Sequence, residues 1–329
     1  MKFKILVFVL SFLFMMMQYI VSAQVKKTLD IHEAQKEKIK NPIVSFGVCA
    51  DVHQDIIHNG EERMSIFVDD MTQKKADFII QLGDFCYPEK DNDTFMSIFR
   101  KFDENAFSVI GNHDRDNGVS KEKVIEYYKM PAAYYSFDKN EFHFIVMDGN
   151  EEGAFADDGY LQAISEAQME WLKDDLTATD KKTIVFILQS LIYDLANYRE
   201  DVREIFSSQN LDDGSKKVIA CFNGHKHSDK INQVDGIWYI TINSMSDIWV
   251  GKKYEHKIKG IHDSIYLKRP DLKYVCPFVD PLYAFVTIDN TGSIVIKGQT
   301  SSWMLPSPLD LGYNLTEGKI PKISDKILK

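Results

Sequence analysis

Four short apolar runs limit what this chain can fold into, because each closes on side chains that bind cations or move protons. Residues 43–50 lead to Asp51-x-His53, and residues 78–82 to Gly83-Asp84. Residues 107–110 lead to Gly111-Asn112-His113-Asp114, and residues 218–222 to Gly224-His225-Lys226-His227. Apolar runs of this length read as buried strands. Between the first two runs, residues 61–75 place Met64, Phe67, Val68 and Met71 on one helical face. Strand, helix and strand make a βαβ unit with parallel strands, so Asp51 and Asp84 leave the sheet at the same rim. The class is α/β, and that rim is where open α/β sheets bind ligands.

Further helices are predicted over 94–102, 119–130, 165–176 and 199–206, the third capped by Ser165 with Gln168 at capping-box spacing. Trp171 on that helix reads as packing. Residues 134–137 and 141–147 read as a hairpin, 183–188 and 237–242 as strands, and 283–288 with 293–297 as a second hairpin around Asp289-Asn290-Thr291-Gly292. Asp148-Gly149-Asn150 reads as a turn. Residues 247–280 read as irregular, a loop over the mouth of the site, with His256 and His262 on the surface.

The chain has 329 residues, 44% hydrophobic, enough for a sizeable core. Its net charge of −10 gives no general basic footprint for nucleic acid. Lys2 and Lys4 precede an apolar stretch that ends at Val21-Ser22-Ala23, the pattern of a signal peptide over 1–23. Export to the periplasm or medium follows, with membrane attachment only if that segment stays uncleaved. Residues 24–41 read as an N-terminal extension, 42–299 as one domain, and 300–329 as a tail packed on it. The four cysteines, Cys49, Cys86, Cys221 and Cys276, do not make a disulfide scaffold in a chain of this length, and no Cys-x-x-Cys pair offers a zinc–thiolate site.

The clusters have a definite chemistry. On an extended backbone Asp51 and His53 lie on one side, a two-ligand clamp for a divalent ion; alone, the pair reads first as an Asp turn beside a surface histidine. Asp84 has two oxygens and can bridge two cations. Asn112 offers a neutral oxygen, His113 is free to meet substrate, and Asp114 is placed to orient it. His225 and His227 can serve one metal or two neighbouring ones.

In this order the clusters resemble those of the calcineurin-like metallophosphoesterases, over residues 46–296. Gln168-x-x-Trp171-Leu172 is similar to a helix of the secreted and nucleotidase-like members. The resemblance implies a four-layer α/β/β/α sandwich with mixed sheets and a di-metal centre at the C-terminal ends of strands. It implies Asp51, His53, Asp84 and His227 at one metal, and Asp84, Asn112 and His225 at the other, with Asp84 as the bridge. His113 would be the catalytic residue beside the phosphate. One position departs from the family pattern. The family usually ends a strand on histidine before the last motif, often as His-x-Pro-Leu. Here Phe186-Ile187-Leu188-Gln189-Ser190-Leu191 puts Leu188 at that histidine; a one-residue shift would offer the Gln189 carbonyl instead.

The expectation is an exported metal-dependent phosphoric ester hydrolase with two divalent ions, Mn, Fe or Zn, the second weakly held. Its substrate would be a phosphorylated small molecule or nucleotide-like ester. The rival is a binding protein that keeps the fold and has lost turnover with the histidine at Leu188.

Overall fold

The computed structural model describes residues 43–153, 159–196 and 198–329. The expected signal segment over 1–23 and the extension over 24–41 lie outside the described residues. Along the chain come β1 (Val44–Cys49), α1 (Gly60–Lys74), β2 (Phe78–Gln81), α2 (Asp93–Phe99), β3 (Ala106–Ser108) and α3 (Lys121–Tyr128). Then follow β4 (Tyr135–Lys139), β5 (Phe142–Val146), α4 (Glu166–Ala178), β6 (Lys182–Ile187), α5 (Arg199–Ser208) and β7 (Val218–Asn223). The remainder is β8 (Lys230–Val234), β9 (Ile237–Thr241), β10 (Asp247–Trp249), α6 (Asp263–Lys268), β11 (Val275–Pro277), β12 (Ala284–Ile288), β13 (Ile294–Lys297) and β14 (Lys326–Leu328).

The strands form two six-stranded mixed sheets, ordered β14-β13-β12-β1-β2-β3 and β4-β5-β6-β7-β9-β8. In the first, β1, β2 and β3 are parallel, and β12 pairs antiparallel with β1. In the second, β5, β6, β7 and β9 are parallel. The inner faces meet over phenylalanines. Phe46 stacks on Phe78 at 4.9 Å and meets Phe186 and Phe222 edge-on at 5.6 and 5.7 Å. Strand alternation then fixes the outer layers. On β6, Ile184 and Phe186 face the other sheet, whereas Val185 and Ile187 pack under α4 and α5 with Leu172, Leu176, Val202 and Phe206. On the opposite side α1 lies so close to β1 that a Cβ at Gly47 would stand 2.5 Å from the Met71 side chain. The layers are those of the expected sandwich.

Local chemistry explains the helix ends. The apolar stripe of α1 is buried, and Lys75 in a left-handed conformation (φ 56°) returns its N–H to Met71 and Thr72. Ser120 and Ser165 cap α3 and α4 through their hydroxyls. The capping box expected at α4 is half made: Gln168 turns away and binds both backbone groups of Asp148 at 2.9 Å. Residues 247–280, expected to be irregular, contain the β10–β11 ribbon and α6. The tail is an edge strand as well as a wrap, because β14 extends the first sheet. All four cysteines are buried free thiols.

Candidate metal centre

The C-terminal ends of the parallel strands in both sheets converge on one edge, and the backbone there is unusual. Asp51, His53, Asp84, His225 and His227 all have positive φ, between 43° and 65°. Each costs about 1 kcal/mol or more in a non-glycine residue, and such strain gathers at functional sites. Aspartate and histidine tolerate this conformation better than most side chains. Asp51 and His53 therefore reach the site from a left-handed turn, and not by the strand alternation expected from Asp-x-His. The turns are locked to one another: Asp51 N donates to Gly83 O and His53 N to Asp84 O, at 3.1 and 3.0 Å. Ser244 and Ser246 hydroxyls hold the carbonyls of Asp51 and Val52. Two motif glycines are there for space. A Cβ at Gly111 would sit 2.0 Å from Asp84 N, and one at Gly224 would sit 2.6 Å from the Asp51 carboxylate.

Asp51, His53 and His227 each aim a ligand atom into a space where all three lie within 4.8 Å of one another. The two histidine Nε2 atoms are 3.2 Å apart. His227 Nδ1 lies 2.8 Å from Asp247 O; a carbonyl only accepts, so Nδ1 carries the proton and Nε2 presents a lone pair inward. Burial holds the His53 imidazole well below its ordinary range, and burial with the Lys319 ammonium depresses His227 to about 3. Neutral imidazoles are what a cation needs. Burial, and then the Asp84 charge, push Asp51 well above the usual carboxylate range.

Asp84 adjoins this group, its Oδ1 accepting from His113 N at 2.8 Å. Asn112 is buried, and neither its amide oxygen nor its nitrogen has a hydrogen-bond partner among the described residues. A buried amide oxygen left bare beside repelling carboxylates fits a divalent cation, which would satisfy both. The structure thus brings Asp51, His53 and His227 into one group, with Asp84 at its border; Asn112 precedes His113, whose N–H binds Asp84. The His225 ring is not in that group. Its backbone N–H donates to both Asp51 oxygens at 2.9 and 3.0 Å, but its Nε2 faces the Gln162 amide at 3.4 Å.

Leu188 is fully buried on the inter-sheet face. Gln189 turns to Asn150 and rests against Gly149 rather than toward the metal group. Neither residue supplies the family's histidine. His113 meets the His53 ring edge-on at 5.1 Å. It is oriented by Asp116, not Asp114: Nδ1 lies 2.9 Å from Asp116 Oδ2. Asp114 instead clamps two loops, accepting from Phe85 N and Gly111 N at 2.6 and 2.7 Å. Burial opposes a charge on His113, but Asp84 and Asp116 outweigh it and raise the imidazole to about 9. Asp148 is also structural, buried in an ion pair with Lys121 at 2.7 Å. Sequence reading missed Asp116, Tyr160, Gln162 and Asp247. Only Asp116 had a local signal, its spacing of three from His113 along a tight turn.

Parallel strands of two packed sheets that deliver carboxylate, imidazole and amide to one buried edge define an α/β protein with a candidate metal centre. The model of the calcineurin-like phosphoesterase family matches residues 44–229, a span that holds every expected ligand, and the chain belongs to that family. Among solved structures, a dimetal phosphatase from Danio rerio is similar at 14% identity and a TM-score of 0.55, over 88% of this chain and 99% of that one. GAP50, the anchor in the inner membrane complex of Plasmodium, is similar at 15% identity and a TM-score of 0.49, over 85% of this chain and 91% of that one. A phosphatase from Mycoplasma pneumoniae is similar at 14% identity and 0.44, over 82% and 99%. At these identities the likeness is one of fold. No curated protein sequence matches the chain.

Proposed function

We propose that the protein is an exported, metal-dependent phosphoric ester hydrolase. The observation that carries this reading is the convergence of Asp51, His53 and His227, with an unpartnered Asn112 amide one residue before His113, in a member of this family. Asp51, His53, Asp84 and His227 would hold one divalent ion; Asp84, Asn112 and His225 would hold a second, weaker one, with Mn, Fe or Zn suiting the N/O donors. Bound there, such ions polarise phosphoryl oxygens and lower the pKa of coordinated water. The chain supplies the rest. His113, kept protonated by Asp84 and Asp116, stabilises phosphate charge and gives a proton to the leaving oxygen. Asp247 fixes the tautomer of His227 and Asp116 the ring of His113. The substrate is a phosphorylated small molecule or nucleotide-like ester.

Leu188 and the Gln162–His225 contact favour a second reading, a protein that keeps the fold and one metal but not turnover. One experiment separates the two: hydrolysis of p-nitrophenyl phosphate and its bis-ester with Mn, beside the Asp84→Asn variant. The hydrolase reading expects metal-dependent turnover that falls by about a hundredfold or more in the variant. Turnover unchanged by Asp84→Asn removes Asp84 from the mechanism; bound metal with no turnover on either ester favours the second reading.

A further inference from the structure

Residues 249–275 stand apart from the rest of the chain in charge. They hold seven Lys and Arg against three Asp and Glu, a net of +4 in a protein whose net charge is −10. Asp263 and Glu255 pair with Lys257 and Lys273 at 2.6 and 3.0 Å. Lys252, Lys253, Lys259 and Lys268 are exposed and have no carboxylate partner among the described residues. Backbone and ring contacts join the segment into one layer. The Trp249 ring on β10 meets the Tyr274 ring at 5.7 Å, and His256 N donates to Lys273 O at 3.0 Å. Ile258 N donates to Tyr266 Oη on α6 at 2.7 Å, and Lys259 N to Leu305 O at 2.7 Å. The layer has a small core of its own, Ile57, Ile258, Leu272 and Val275. Three large apolar side chains are left outside it: Leu267 on α6 is 87% exposed, Leu305 51% and Trp249 45%.

One exposed leucine is ordinary, but three large apolar side chains on one cationic layer form a patch, and such patches mark sites of association. The two chemistries together select the partner. Unpaired ammonium groups attract phosphates or carboxylates, but an acidic polymer in water gains nothing from a leucine that stands clear of the fold. A bilayer with anionic lipids meets both demands. Its headgroup phosphates face the lysines, leucine enters the acyl boundary, and tryptophan sits at the level between. We propose that the face built by residues 249–275 with Leu305 binds the surface of a membrane that contains anionic phospholipid. The contact is peripheral, since no helix among the described residues is long and apolar enough to cross a bilayer. It is separate from the expected signal segment, which would attach by insertion. The face is also tied to the candidate metal centre, because the Arg269 guanidinium donates to Gln54 O, one residue past His53.

The test reads binding, so it holds whether or not the protein turns over. The chain from Gln24 onward, which contains every element of the fold described above, is sedimented with vesicles at low and at high salt. One set is phosphatidylcholine alone, the other phosphatidylcholine and phosphatidylglycerol in equal parts. The wild type is expected to sediment with the mixed vesicles only, and less at high salt, because salt screens exposed charges. Lys259→Glu with Lys268→Glu is expected to weaken binding by about tenfold or more. Leu267→Ser, which removes the apolar tip, is expected to weaken it by about tenfold. Lys173→Glu, a charge reversal on α4, is expected to leave it unchanged. All four substitutions fall on exposed positions, and urea midpoints equal to that of the wild type confirm folding. No binding to the mixed vesicles, equal binding to both kinds, or an equal loss with Lys173→Glu would overturn the face. A loss with the lysine pair but none with Leu267→Ser would overturn it too, by showing a surface that reads charge alone, as an acidic protein would use.

Discussion

At Leu188, just past β6, the chain buries an apolar side chain where the resemblance leads one to expect an imidazole, and the consequences are local. The side chain lies in the core between the sheets, where a Cβ at Gly83, one residue before Asp84, would stand 3.1 Å from its Cδ1. Leu188→His should tighten Mn at the weaker site by about tenfold or more and raise turnover. It should also lower stability by about 1–3 kcal/mol, because a polar ring enters an apolar layer. Calorimetric Mn titration and urea unfolding read the two effects; unchanged Mn affinity would mean that Leu188 does not stand at the missing ligand. The grouping of Asp51, His53 and His227 was legible from the ordered set of motifs and not from any one of them. What periodicity cannot convey is a dihedral angle. The left-handed turns at five of the expected ligand positions were invisible, and Gly111 looked like a turn residue when its role is to let Asp84 approach. Asp114 and Asp116 differ by two positions and by everything in role, which only the fold of the 113–118 turn decides.

At the scale of elements, two contacts tie pieces of the sheets together. His143 on β5 bonds Asp138 on β4 and Asp175 on α4, at 2.7 and 2.8 Å. Burial disfavours its charge, but the Asp175 and Asp138 hydrogen bonds outweigh this and raise its pKa in the folded protein. A raised folded pKa gives stability that is complete below the unfolded value of about 6.5 and is lost as pH climbs through the folded value. Urea midpoints should therefore decline from near neutrality upward, and His143→Gln should flatten that decline; an identical slope in the variant would contradict the linkage. The second contact is the tail. Asp229, just past the His227 turn, accepts from Ser324 N at 2.9 Å and pairs with Lys326 on β14, while its own N–H donates to Gly318 O at 2.9 Å. Asp229→Ala leaves the half-buried Lys326 without its carboxylate and should cost about 3 kcal/mol in urea unfolding at constant slope. A loss near zero would show that the tail does not brace the turn. Long elements with one sealed face, α1 and α4, were legible from their stripes. The short ones were not: β8 is a polar edge strand, and β10, β11 and β14 find partners far away in sequence.

Across the whole molecule, two mixed sheets press their phenylalanine faces together and carry their parallel strand ends to a common edge. Apolar runs showed that the strands were buried, and the βαβ unit showed that the first two were parallel. They did not show that β7 belongs to a different sheet from β1. That pairing across the sandwich sets His225 N on the Asp51 carboxylate, and only the resemblance of the ordered motifs implied it. The cost of the arrangement is several buried carboxylates whose charges repel, and a divalent cation is the partner that would relieve them. The most direct measurement is hydrolysis of bis-p-nitrophenyl phosphate by the chain stripped with a chelator, before and after Mn is returned. The expected result is silence before and turnover after, with Mn raising the unfolding temperature in step with its binding. Turnover that ignores the metal, or none at all with Mn bound, would contradict a metal-dependent hydrolase.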